Sequence, residues 1–200
     1  MLKLGRQTIV CLLLSIGFVN SALGQFTNPS FETGDFTGWI TQELSRPFSP
    51  LRVGTVGDQA SFGSNTLMPT DGTFAVMHGF DGAQGTIRVA QDVMITGNSI
   101  SFDHRGGWSL TFGAIEDRLF QVNIETAGGG SVLASHTILR AEAGDSVSDT
   151  GTSESSVDVS AFVGQTVRVS FDWIIPENFT GPAFFHLDNV RLSLGLDPQV

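Results

Sequence analysis

The sequence predicts an all-β protein, an antiparallel two-sheet β-sandwich of jelly-roll type. Three observations carry that reading. Several short segments alternate apolar and polar residues, the pattern of a strand buried on one face. Glycine-rich and Asp-Gly clusters separate them, and no stretch sustains a 3.6-residue period. Many short strands joined by such turns build sandwiches and jelly rolls.

Residues 1–24 read as a secretory leader and not as part of the fold. Lys3 and Arg6 precede an apolar run at 9–19, and Ala22-Leu23-Gly24 is a small-x-small cleavage signal ahead of Gln25. The run is shorter than the roughly 20 apolar residues that a membrane-spanning helix needs. The sandwich is then expected at 25–193, with 194–200 a short tail carrying no anchor.

The strands follow in order. TFAVM at 73–77 and GTIRVAQDV at 85–93 come first, then SISFD at 99–103 and RLFQVNIE at 118–125. SSVDV at 155–159 is a short strand, and 159–163 fits one helical turn. TVRVSFDW at 166–173 places Val167, Val169, Phe171 and Trp173 on one face, because strand side chains alternate. FFHLDNVRL at 184–192 is the last. Turns are expected at Asp71-Gly72, Asp81-Gly82, Gly106-Gly107 and Gly128-Gly129-Gly130. The acidic stretch at 142–156 does not match an EF-hand spacing and reads as a mobile surface loop.

Composition narrows the partners. Removing the 24 leader residues from 200 leaves 176 with no Cys, Lys or Tyr, and takes the formal charge from −10 to −12 because Lys3 and Arg6 are lost. A disulfide framework is excluded, since Cys11 lies in the leader. So acidic a chain does not suit nucleic acid, whose phosphates demand a basic face, nor an anionic membrane surface; no membrane insertion is expected once the leader is cut. Cations and neutral, sugar-like ligands remain.

Three segments carry a family resemblance: NPSFETGDFTGW at 28–39, PTDGTFAV at 69–76, and VDVSAFVGQTVRVSF at 157–171 followed by FHLDNVRL at 185–192. Together they resemble secreted bacterial β-sandwiches of the galactose-binding-like superfamily, which includes many carbohydrate-binding modules. Many such chains end in a sorting signal of the PEP-CTERM type, which 194–200 do not match. The resemblance implies a noncatalytic module binding an extracellular glycan or matrix component. It also implies a structural calcium held by the Glu32 and Asp188 side chains, with backbone carbonyls near Asn28 and Ser30 completing the shell. A jelly roll that sets its first and last strands side by side would bring these two carboxylates together, and like charges in contact call for a cation or a proton. The plainer alternative is that Glu32 caps a turn and Asp188 bonds loop amides. On the same reading 28–39 is a first edge strand, with Phe31 facing the core, Gly34 and Asp35 turning the chain and Trp39 packing the sandwich end.

For the ligand itself, Asp103 and Arg105 share one strand face, and Arg168, Ser170 and Asp172 share another. If those strands neighbour, they form a polar surface for sugar, with Trp108 after Arg105-Gly106-Gly107 as an exposed aromatic platform. The alternative for these charges is a solvated cross-strand ladder. His78, His104, His136 and His186 show no zinc-ligand spacing, and His186 reads as a satisfied, half-buried strand residue. The chain has no nucleophile-elbow motif. Trp39 and Trp173 are expected in the core. Two further readings stand beside glycan binding: a structural protein of the cell surface or biofilm matrix, and a jelly-roll polysaccharide lyase using Arg105, His104 and Asp172. An exposed aromatic groove on the sheet would favour sugar, and a flat salt-bridge ladder a scaffold.

Overall fold

The computed structural model describes residues 25–59, 66–79 and 82–193. The expected leader, the tail and Asp81 lie outside the described residues. Eleven strands are present among them: β1 (Ile40–Gln42), β2 (Ser49–Thr55), β3 (Phe74–Gly79), β4 (Gly85–Met94), β5 (Ser99–Ser109), β6 (Arg118–Thr126), β7 (Val132–Ala141), β8 (Ser146–Val147), β9 (Ser153–Asp158), β10 (Thr166–Ile175) and β11 (Ala183–Ser193). One 3₁₀ turn, Ser160–Phe162, sits where a single helical turn is expected. One sheet runs β1-β4-β10-β6-β7; the other runs β2-β3-β11-β5-β8, with β9 also on β5. The strand pairings among the described residues are antiparallel. The chain switches repeatedly between the sheets, as jelly-roll wiring requires.

The pleat explains the layering. On β10, Val167, Val169, Phe171 and Trp173 all point inward and are at most 3% exposed. Their register partners Val93, Val89 and Ile87 on β4 and Ile124, Val122 and Phe120 on β6 share that face. From the opposite sheet, Phe102 on β5 and Phe185 on β11 meet them. Phe120 and Phe185 have ring centroids 3.8 Å apart, and Phe102 stands edge-on to Phe171 at 5.0 Å.

Four strands escape the sequence pattern. β1 and β8 are too short to show one. On β7, Ile138 and Leu133 are each skipped in the pairing with β6, where the register shifts twice. Each extra residue breaks the alternation; bulges of this kind also blunt an edge strand against further pairing. β2 has a register shift of its own between Ser49 and Arg52.

The structure corrects three expectations. Gly106-Gly107 is not a turn but lies inside β5. A Cβ at Gly107 would strike the Phe184 ring and the Ser148 carbonyl, so the glycine serves close approach. The 142–156 stretch is not simply a loop: β8 and β9 pair with β5 there. Residues 28–39 are not a strand. Asn28 and Phe31 have φ of 51° and 57°, with Gly34 and Gly38 also left-handed, and these angles fold the segment into successive turns. Phe31 is nonetheless fully buried. It packs against Trp39, which stacks on Phe26 and is itself core, as is Trp173.

His78 on β3 faces inward against Trp173 and Phe185. Among the described residues neither of its ring nitrogens has a hydrogen-bond partner. Burial holds its pKa down to about 3, helped by His186 and Arg118; burial likewise lowers His186 to about 4. His186 is buried, and its ring nitrogens too lack partners among the described residues, so it is not the satisfied residue expected. Both folded values lie below the unfolded one near 6.5, so only the unfolded chain takes up these protons. Stability is whole above pH 6.5 and is lost as pH falls toward 4, at about 1.4 kcal/mol per pH unit per histidine. Thermal melts between pH 6.5 and 4.5 should show a falling Tm, with a shallower fall in His78→Phe.

Candidate functional site

The opening segment and the last strand meet, though not as paired strands. The Val190 N–H donates to the Pro29 carbonyl at 3.0 Å, beside a register break in β11 after Asp188. Glu32 and Asp188 both grip the turn at 70–74. Glu32 Oε1 accepts the N–H groups of Thr73 and Phe74, each at 2.8 Å. Asp188 Oδ2 accepts from the Thr70 N–H, the Thr70 hydroxyl and the Asp71 N–H at 2.7, 3.1 and 3.0 Å. The Ser30 hydroxyl donates to Asp71 at 2.6 Å. Burial pushes the Asp188 carboxyl above the usual range, while the amides of Asp71, Thr70 and Asn189 pull it back. These are the turn-capping and loop-amide bonds of the plainer alternative. Among the described residues no group of three or more His, Cys, Asp or Glu is placed to hold a metal ion.

The expected ligand surface is split. Asp103 and Arg105 lie on β5, whereas Arg168 and Asp172 lie on β10 in the other sheet. Trp108 is no platform: it falls inside β5 on the inward face and is 8% exposed. The lyase set fails for the same reason. Arg105 faces out of one sheet, Asp172 out of the other, and His104 is buried between them against Phe102 and Phe120.

Each sheet face satisfies its own charges. Arg105 clamps Asp149 through two bonds of 2.8 and 2.6 Å, and Asp103 accepts the Asn189 amide at 3.0 Å. Arg168 pairs with Asp92 at 2.8 Å, holding that carboxyl below the usual range. Beside it, Arg88 binds Asp172 through Nε and Nη2 at 2.8 and 2.6 Å and reaches Glu125 at 2.9 Å. Asn123 donates to Asp172 at 2.8 Å. Asp172 and Glu125 are each 2% exposed, so this outer face is built as tightly as a core. Sequence reading missed Arg88, Asn123 and Glu125. Alternation alone puts them outward, but only the register sets them across from Asp172.

A different surface gathers at one end of the sandwich, where the loops at 43–48, 82–84, 110–117 and 176–182 converge. Phe48 and Phe179 are 52% and 53% exposed and meet edge-on at 5.7 Å. Phe112 and Ile115 nearby are more than 80% exposed. Phe179 sits at φ 54°, a region that costs a bulky residue about 1–2 kcal/mol. The surroundings impose that angle. The Phe179 N–H bonds the Gly82 carbonyl at 2.9 Å, and the Asn178 and Gln84 amides interlock. Glu177 accepts the Ile115 and Glu116 N–H groups at 3.0 and 3.1 Å. From below, the buried Arg118 guanidinium donates to the Thr180 hydroxyl and the Gly181 carbonyl at 3.0 and 3.1 Å. Exposed Arg46 lies on the same loop as Phe48. The arrangement presents apolar rings beside planar polar groups on a braced backbone. The sequence signal for it is a large apolar residue in a turn-rich stretch, ENFTGP at 177–182.

In fold, the chain is similar to the K2 cleaved adhesin domain of Lys-gingipain, with a TM-score of 0.52, 14% identity, and 86% of this chain and 98% of that one covered. It also aligns with TmCBM61 in complex with beta-1,4-galactotriose (TM-score 0.48, 13% identity, 82% and 94% covered) and with a Stig cyclase from Fischerella sp. TAU (0.47, 19% identity, 84% and 94%). The likeness establishes the β-sandwich and not the ligand. No family model and no curated protein matches the chain.

If the sheet faces are structural, truncating their buried charges should cost stability. Asp172→Ala leaves Arg88 with Glu125 alone and Asn123 without its acceptor, and should lose about 1.5–3 kcal/mol in urea unfolding. Asp103→Ala removes one half-exposed amide bond and should lose about 1 kcal/mol.

Proposed function

We propose that the protein is a noncatalytic module that binds an extracellular carbohydrate at this loop end and not on a sheet face. The observation that carries the reading is Phe179, a half-exposed ring on a left-handed backbone held by bonds to Gly82, Gln84 and Arg118. Backbone strain of this kind persists where the surroundings over-determine it, as at ligand clamps, and exposed apolar patches mark contact sites. The Phe48 and Phe179 rings offer the C–H face of a sugar an apolar platform. The Asn178 and Gln84 amides and the Arg46 guanidinium suit its hydroxyls. Reading residues 1–24 as a cleaved leader supports a location outside the cell.

A specific observation favours a second reading, a structural cell-surface or matrix protein. Among the described residues the sheet faces carry Arg–carboxylate pairs and no exposed aromatic ring. A glycan array with the purified exported protein separates the two. The expected result is binding to a defined set of glycans, weakened at least about tenfold by Phe48→Ala, a loss of roughly 1.4 kcal/mol. Phe179→Gly should relieve the backbone and weaken binding together, so that Tm rises or holds while affinity falls. If no glycan binds the folded protein, the carbohydrate reading is lost and the scaffold reading stands.

A further inference from the structure

We infer that this fold is closed by a metal-independent latch, in which the backbone of the turn at 70–74 takes the carboxylate positions that the family resemblance gives to calcium. A carboxylate or carbonyl oxygen offers about two acceptor sites, and calcium asks for six to eight oxygens. Glu32 Oε1 spends both on the Thr73 and Phe74 N–H groups. Asp188 Oδ2 takes three donors from Thr70 and Asp71, and Oδ1 takes the Asn189 N–H at 2.7 Å. The Asn28 carbonyl accepts from the Phe31 N–H and from Trp39 Nε1, at 3.2 and 2.9 Å. The neighbouring Pro29 carbonyl accepts from Val190. The Ser30 hydroxyl points its proton at Asp71. Glu32 Oε1, both Asp188 oxygens and the Asn28 and Pro29 carbonyls are thus turned toward N–H and O–H groups, whose positive ends face the place a cation would fill.

Gly72 is built for this arrangement. Its φ is 73°, and a Cβ there would fall on the Glu32 carboxyl. The turn therefore passes against the carboxylate with nothing between them. One peptide turn joins the opening segment, through Glu32 and Ser30, to the last strand, through Asp188. In this way the two ends of the domain are tied without being paired strands.

Thermal unfolding of the purified protein after exhaustive chelation, then with calcium restored to roughly millimolar concentration, tests the latch. The expected Tm is the same in both, with no saturable heat of calcium binding by titration calorimetry. Glu32→Gln keeps an amide oxygen for the Thr73 and Phe74 N–H groups and should lower Tm less than Glu32→Ala. Gly72→Ala should lower Tm to the same extent with and without calcium. A saturable rise of Tm with calcium that Glu32→Gln abolishes would overturn the inference, whatever becomes of the Gly72 variant.

Discussion

The aromatic seam between the two sheets governs the rest of the molecule. Phe120, Phe171 and Trp173 from one sheet and Phe102 and Phe185 from the other are all at most 4% exposed. Each such side chain contributes about 2–3 kcal/mol by leaving water, and the rings interlock edge to face and offset. Because strand side chains alternate, a slip of one residue in any of these strands would turn its aromatic out to solvent. The seam therefore sets register on both sides at once, and register decides what every outward residue meets.

What the outward residues meet is mostly each other. Arg88, Asp172, Glu125 and Asn123 come from three different strands and form one desolvated network. Such a network resists the loss of any member more than it adds net stability. It also leaves little free hydrogen-bonding capacity on the face where a ligand was expected. The loops are under no comparable demand. Their backbone is satisfied locally, as where Glu177 and Asn178 bond neighbouring loops, and their apolar side chains remain in water. The rigid sandwich carries the fold, and the loop end carries the free chemistry.

The ends of the domain show the same division. The opening segment contributes Phe31 and Trp39 to the seam's margin, yet its left-handed residues keep it from becoming a strand. Glu32 leaves that segment on the solvent side and finds the backbone of a turn about forty residues away. Asp188, at the break in β11, finds the same turn from the other direction.

Strand identity was legible in the sequence wherever alternation ran unbroken. Residues 166–173 announced the strand and its buried face, Trp173 included, because hydrophobic period is a local property; Phe31 and Trp39 are buried as expected, but from successive turns and not from a strand. β7 was not legible, since two bulges interrupt its period, and Gly106-Gly107 misled because glycine signals a turn and a close approach alike. Trp108 misled with it, placed by that false turn on the surface. Of the candidate site little could be read: Phe48 and Phe179 differ from the core phenylalanines only in where the fold puts them. The sequence by itself determined the sandwich class and the inward rows, since period and burial belong to each segment alone. Only the tertiary structure decided which sheet each charge joined, what Glu32 and Asp188 hold, and which rings stay in water, because those depend on register and loop convergence between segments far apart in the chain.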